Sequence, residues 1–235
     1  MCIRDSSNSQ LYVGGDFKYV RDNRGYDISA NRIAVWKPST VQWSVLGTAT
    51  SNGLDGSCNA MALDSSNNRL YVGGNFRNVN DSLNTDMSTN RVAYWDITNS
   101  VWKRLGGTTT TTNGLDGSCN ALAFDSVRNR LYVGGNFRKV SDSSKADQSA
   151  NYIVYWDASN SLWGQIGGST TTTNGVDGSV NAIALDSNRN VYVGGYFQKA
   201  STTVGDISAN SGIIWNTSTN KWINLGVTNY RNGVV

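Results

Sequence analysis

The sequence predicts an all-β fold, a β-propeller segment of four four-stranded blades, and three observations predict it. First, Leu70-Tyr71-Val72-Gly73-Gly74-Asn75-Phe76 is written four times, recurring as Leu11 to Phe17, Leu131 to Phe137 and Val191 to Phe197. Its second glycine falls at 15, 74, 135 and 195, a period of 59 to 61 residues, and a fixed period of that size marks stacked supersecondary units. Second, all eight tryptophans are repeat positions, paired seven residues apart: Trp36 with Trp43, Trp95 with Trp102, Trp156 with Trp163, and Trp215 with Trp222. Third, each copy reads as four short strands set off by turn residues, and four antiparallel strands per unit make a propeller blade.

Taking the second copy as template, the first strand is Cys58 to Leu63, repeated as Cys119 to Phe124 and Val180 to Leu185. The turn Asp64-Ser65-Ser66-Asn67-Asn68 leads to a second strand, Arg69 to Phe76. Leu70 and Val72 point to one face and Tyr71 to the other, yet all are apolar or aromatic, so both faces are covered. The glycine pairs Gly14-Gly15, Gly73-Gly74, Gly134-Gly135 and Gly194-Gly195 end these strands, removing side chains where a neighbouring backbone approaches. Asn90 to Asp96 is the third strand and, after the turn Ile97-Thr98-Asn99-Ser100, Val101 to Leu105 is the fourth. Two tryptophans per copy at fixed places read as core between stacked sheets, each burying about 150–250 Å². The whole chain, 1-235, reads as a single segment with blades at about 1-47, 58-107, 119-168 and 180-226.

Both ends depart from the repeat. Asp5 to Leu11 aligns with Asp64 to Leu70 without a gap, so Met1 to Arg4 stand where the second copy has Ala60-Met61-Ala62-Leu63, and Arg4 is the misfit of what reads as a foreign prefix. Asn232-Gly233-Val234 repeats the opening of Asn174-Gly175-Val176-Asp177, so a fifth unit begins there. The expectation is an arc of a larger propeller that does not close by itself and is sticky in isolation.

The glycine pair Gly73-Gly74, then Tyr94-Trp95-Asp96, then Trp102 beyond a Thr/Asn turn resembles the kelch-type propeller blade. The longer phrases from Asn113 to Ser126 and Asn129 to Phe137 are similar to repeats of the fungal cortical cell-polarity marker family and of bacterial cell-surface propellers. The resemblance spans nearly the whole chain. It implies a propeller that positions or displays, carries over no catalytic residue, and implies an extracellular or cell-surface location.

Composition narrows the function. With 20 basic and 17 acidic residues interspersed there is no basic stripe to track a phosphate backbone, so nucleic acid is not an expected partner. No apolar run approaches the roughly 18 residues of a membrane span. The absence of histidine removes Ser/His/Asp and Cys/His triads and most zinc, haem and copper sites, so no enzyme is expected. Cys58 and Cys119 align with Val180, which makes them small buried apolar residues and not disulfide halves.

What remains is binding. The turns after the first and third strands lie on one rim and are short, while the loops Arg77 to Thr89 and Gly106 to Gly117 lie on the other and are long, which makes that second rim the candidate functional face. It carries Asp22 and Asp27, Asp81 and Asp86, Asp142 and Asp147, with Thr202 and Asp206 in the last copy; these aspartates are calcium candidates by their five-residue spacing, but capping of turns is the preferred reading, and no cofactor is expected. The linkers Asp55 to Asn59, Asp116 to Asn120 and Asp177 to Asn181 read the same way. Thr108 to Thr112 and Thr170 to Thr173 read as mobile linkers or O-glycosylation tracts, and Asn80-Asp81-Ser82 and Asn216-Thr217-Ser218 match the N-glycosylation pattern. The expected function is a non-enzymatic binding or display module for a protein or glycan, within a larger surface or secreted protein. The alternative is a fragment of a carbohydrate-active propeller enzyme whose catalytic residues lie outside this segment.

Overall fold

The computed structural model describes residues 2–5, 10–109, 112–170 and 172–225, and every regular element among them is a strand. In chain order the first unit holds β1 (Cys2–Asp5), β2 (Leu11–Gly14), β3 (Tyr19–Arg21), β4 (Asp27–Ser29), β5 (Ile33–Lys37) and β6 (Gln42–Val45). The second holds β7 (Cys58–Asp64), β8 (Arg69–Gly74), β9 (Asn78–Val79), β10 (Met87–Ser88), β11 (Val92–Asp96) and β12 (Val101–Arg104). The third holds β13 (Ser118–Asp125), β14 (Arg130–Asn136), β15 (Lys139–Val140), β16 (Gln148–Ser149), β17 (Ile153–Asp157) and β18 (Leu162–Gln165). The fourth holds β19 (Ser179–Leu185), β20 (Val191–Tyr196), β21 (Lys199–Thr202), β22 (Gly205–Ser208), β23 (Gly212–Asn216) and β24 (Lys221–Asn224). Each unit makes one four-stranded antiparallel sheet plus a two-stranded hairpin, so the four blades stand as the repeat predicts.

Register follows the repeat. Leu70 pairs with Trp95 and Trp95 with Trp102, which sets the two indoles side by side, 5.2 Å apart and edge to face. The same contact recurs in every blade; the other six tryptophans are buried, and Trp36 and Trp43 of the first blade are half-buried. Strand three starts at Val92, two residues later than the pattern predicts, because Asn90 and Arg91 take left-handed conformations (φ 46° and 74°) that end extended pairing. Pairs at Asn31-Arg32, Asn151-Tyr152 and Asn210-Ser211 do the same, and asparagine tolerates that region.

Three hydrophobic cores lie between successive sheets, joining the first blade to the second, the second to the third and the third to the fourth. The glycine pair explains how close the sheets come. A methyl group added at Gly14 would overlap Cys58 Sγ of the next blade; at Gly73 it would overlap Cys119 Sγ, and at Gly134 Val180 Cγ1. Cys58 and Cys119 are buried, each filling the place of a missing Cβ. One residue on, a bulge between Cys58 and Ala60 frees Asn59 to donate to Cys119 O at 3.1 Å, and Asn120 donates to Val180 O at 3.4 Å.

The fourth blade has the same half-joint with no neighbour. A methyl at Gly194 would meet nothing closer than Ser211 O at 3.8 Å, and Asn181, Ala182 and Ala184 are exposed. Among the described residues the sheets pack in chain order, β1 on β7, β7 on β13 and β13 on β19, with no comparable packing between the first and fourth, so they form an open arc.

Residues 2–4 differ from expectation. β1 pairs with β2 in full, although Arg4 lies opposite Tyr12 where the equivalent of Leu63 opposite Leu70 would be Arg4 opposite Leu11. The inner edge of β2 presents unpaired backbone N–H and C=O groups, and an extended segment satisfies them whatever its side chains. The proposed fifth unit, Asn232 to Val234, lies outside the described residues.

Candidate functional site: the long-loop rim

Hydrogen bonds assign the two rims. Ile97 N donates to Asn68 O at 2.9 Å and Asn68 Nδ2 to Thr98 Oγ1 at 3.3 Å, so the short turns after strands one and three meet on one side. On the other, Leu115 N donates to Asn90 O at 2.9 Å, tying the linker to the long loop. Among the described residues of the second linker, Gly106 bridges to Asn113 and Thr109 Oγ1 lies 2.7 Å from Thr112 Oγ1; Thr110, Thr111 and Thr171 of the threonine tracts lie outside the described residues. Asn80 and Asn216 spend their side-chain oxygens on local turns, accepting from Asp86 N at 2.8 Å and Ser218 N at 3.0 Å.

The long loops of the second, third and fourth blades each rise from a base clamped by a linker carboxylate. Asp55 Oδ1 accepts from Arg77 N at 2.7 Å and Asn78 N at 3.0 Å; Asp116 does so from Arg138 N and Lys139 N, and Asp177 from Gln198 N and Lys199 N. Above the base the paired aspartates part company. Asp81 and Asp142 are buried, each 1% exposed. Asp81 accepts from Leu83 N, Asn84 N and the main-chain N–H of Trp102. Asp142 accepts from Ser144 Oγ at 2.6 Å, Gln148 Nε2 at 2.8 Å and Trp163 N at 2.9 Å. Burial alone would raise the Asp142 carboxyl, but bonds from Ser144, Trp163 and Gln148 outweigh it and hold the group below its ordinary value.

The second aspartate of each loop is exposed. Asp27 pairs with Arg21 at 2.9 Å, Asp147 with Lys139 at 3.6 Å and Asp206 with Lys199 at 3.7 Å, while Asp86 sits at φ 50°. Asp22 is half-buried and accepts from Arg24 N and Tyr26 N. Among the described residues no three acidic, cysteine or histidine side chains gather at one point.

The loops themselves are hairpins, β3–β4, β9–β10, β15–β16 and β21–β22, and their tips carry what the sequence reading passed over. Tyr26 is 70% exposed, Leu83 79% and Val204 95%, with Tyr19 exposed on the flank of the first hairpin. The signal was present: Leu83 stands between Ser82 and Asn84, and Val204 between Thr203 and Gly205. Beneath the tips, a cleft of about 310 Å³ between the second and third blades is lined by Arg77, Arg91, Asp116, Lys139 and Asp147. In the third blade Tyr152 replaces the second guanidinium and accepts from Arg138 Nη2 at 2.9 Å.

The family model of the Rax2 C-terminal beta propeller domain matches residues 25–173. Among solved structures, that of U3-55K superposes with a TM-score of 0.53 at 11% identity, covering 94% of this chain and 50% of that one. The WD40 repeats of RRP9 give a TM-score of 0.49 at 12% identity, covering 94% of this chain and 56% of that one. The chain thus spans about half the length of the solved propellers it matches. No protein with a curated description matches. The first of these solved structures overturns the expected extracellular or cell-surface location: the architecture on which it rested is also that of U3-55K, and it carries no such address. No helix among the described residues is long and apolar enough to cross a membrane.

Proposed function

The chain belongs to the Rax2 C-terminal beta propeller family, and from that premise we propose that it is a non-enzymatic module whose long-loop rim binds another protein. One observation carries the reading. Three of the four hairpins on this rim lift a bare apolar side chain into solvent, at Tyr26, Leu83 and Val204; buried Asp81 and the Asp55 clamp hold the second hairpin, the Asp177 clamp the fourth, and Asp22 with the Arg21–Asp27 pair the first. Apolar groups presented on a rigid scaffold are what a partner surface buries, and a few such anchors dominate binding. The finer likenesses of the repeats, to kelch blades and to the fungal cortical cell-polarity marker family, support the same reading.

The test is a comparison of rims. The triple variant Tyr26→Ser, Leu83→Ser, Val204→Ser and a control on the opposite rim, Val41→Ser with Val127→Ser, are cross-linked in parallel in extract from the source cell. The reading expects the hairpin variant alone to lose its cross-linked partners, by about tenfold or more if two anchors contribute. Retention of the same partners by the hairpin variant would overturn it. A glycan is the second reading, favoured by the exposed rings of Tyr19 and Tyr26 on one hairpin. Binding to immobilised glycans that Tyr26→Ser abolishes is its expected outcome.

A further inference from the structure

In the second and third blades the chain covers its outer strand with a carboxylate. Asp81 and Asp142 reach across from the hairpin to the main-chain N–H of Trp102 and Trp163. The fourth blade departs at this one place. Thr202 stands where those aspartates stand, with its hydroxyl turned back onto Gly205 O at 2.6 Å. The loop from Phe197 to Ser211 is also one residue shorter than those from Phe76 to Arg91 and Phe137 to Tyr152. The shorter loop zips into a longer hairpin, with four residues in each of β21 and β22 where β9 and β10 have two.

Between hairpin and strand lies a cleft of about 410 Å³ lined by Val204, Asp206, Ile207, Trp215, Lys221 and Trp222. Trp222 is 4% exposed and its indole Nε1, like that of Trp102 in the second blade, meets no hydrogen-bond partner among the described residues, whereas Trp163 Nε1 in the third blade donates to Ser141 O at 3.0 Å. A buried N–H without an acceptor is costly, and a ligand that brings one recovers that loss.

We propose that this cleft binds a carboxylate of a partner protein, an aspartate or glutamate side chain with an apolar neighbour, seated where Asp81 and Asp142 sit in their own blades. The proposal rests on the reading of this rim as protein-binding and names the chemistry of one subsite. The position is one that the chain itself fills with a carboxylate in two other copies. Lys221 at the edge supplies opposite charge, and Val204, Ile207 and Trp215 wall the place for the apolar neighbour. Asp206, the one acid of the lining, is engaged by Lys199 at 3.7 Å and Ser201 Oγ at 3.1 Å. The first blade differs in another way: its hairpin keeps the aspartate, Asp22, and that carboxylate accepts from Arg24 N and Tyr26 N of its own turn.

Proton–nitrogen correlation spectra of the whole chain, titrated with acetyl-Leu-Asp-Leu amide, test this directly. The expected result is a saturable shift of the Trp222 indole and main-chain signals with Trp163 unmoved, and affinity about tenfold weaker for acetyl-Leu-Asn-Leu amide. Thr202→Asp, which restores the chain's own carboxylate, should cut binding of the aspartyl peptide by a similar factor, and Lys221→Gln should weaken it. Equal affinity for the two peptides, equal binding by Thr202→Asp, or shifts no larger at Trp222 than at Trp163 would overturn the proposal. Displacement by acetate as effective as by the peptide itself would show a free-anion site and overturn the assignment to a protein. Partner cross-linking that depends on Tyr26 and Leu83 while Trp222 stays silent separates failure of this subsite from failure of the rim.

Discussion

Tyr71 shows how much of this molecule is decided by a single atom. Its ring is fully buried and stacks on Phe124 of the next blade with centroids 5.4 Å apart, but among the described residues its hydroxyl has only Arg69 nearby, outside hydrogen-bond geometry. Burial pushes that hydroxyl up to about 12, with Arg69 pulling the other way. The folded value lies above the ordinary value of 10.0, so the native state keeps the proton that the unfolded chain releases. The contribution to stability is therefore intact below pH 10 and is lost as pH rises through about 12. Tyr71→Phe keeps the stack and removes an unsatisfied O–H. Urea denaturation near neutral pH should find it as stable as the parent or up to about 1 kcal/mol more so, with a shallower alkaline loss. A loss of more than about 1 kcal/mol at neutral pH would mean that the hydroxyl has a partner after all.

At the scale of the element, the joint between blades is the testable object. Gly73→Ala drives a methyl into Cys119 Sγ, a contact with buried neighbours on every side, and should cost about 1–3 kcal/mol. Gly194→Ala meets no neighbouring blade and should be close to neutral. Cys119→Ala makes room, so the double variant Gly73→Ala, Cys119→Ala should recover most of the loss, and a double-mutant cycle reads the coupling. Additive costs in that cycle would show that the two positions do not share one space.

The strands on either side of this joint were legible because apolar alternation and turn residues repeat four times, which averages out the noise of any one copy. The role of Cys58 and Cys119 as small packing residues was legible from Val180 alone. The hairpins on the long loops were not, since β9 and β10 have two residues each and two residues carry no periodicity. The late start of the third strand was hidden for a related reason: a left-handed Arg91 or Tyr152 is set by the surrounding backbone, and neither residue type announces it. Of the candidate site, the rim was readable from loop lengths. The division of labour between buried Asp81 and exposed Asp86 was not, because spacing along a loop does not say which side chain the neighbouring strand will receive.

For the molecule as a whole, the open arc has an energetic consequence. The outer face of the fourth blade leaves Tyr192, Tyr196 and Ile223 at 38%, 81% and 44% exposure, next to a glycine with room above it. A face built for burial and left uncovered promotes association. Sedimentation of the 235-residue chain should show mass rising with concentration, and Ala182→Lys, placed on that face, should return it to the monomer. A monomer at all concentrations would mean that the face is satisfied by solvent alone.

The joint itself travels with the repeat. Each unit carries a glycine for the unit after it and a Cys or Val for the unit before it, so an in-frame duplication of about 60 residues copies both halves of the connection at once. Blade number can then drift in descent by whole units without a compensating change anywhere else. A substitution at the joint has no such freedom, because it must be matched in the adjacent unit. The three joints of this chain vary by no more than cysteine for valine, while the hairpins above them differ in length, charge and apolar tip.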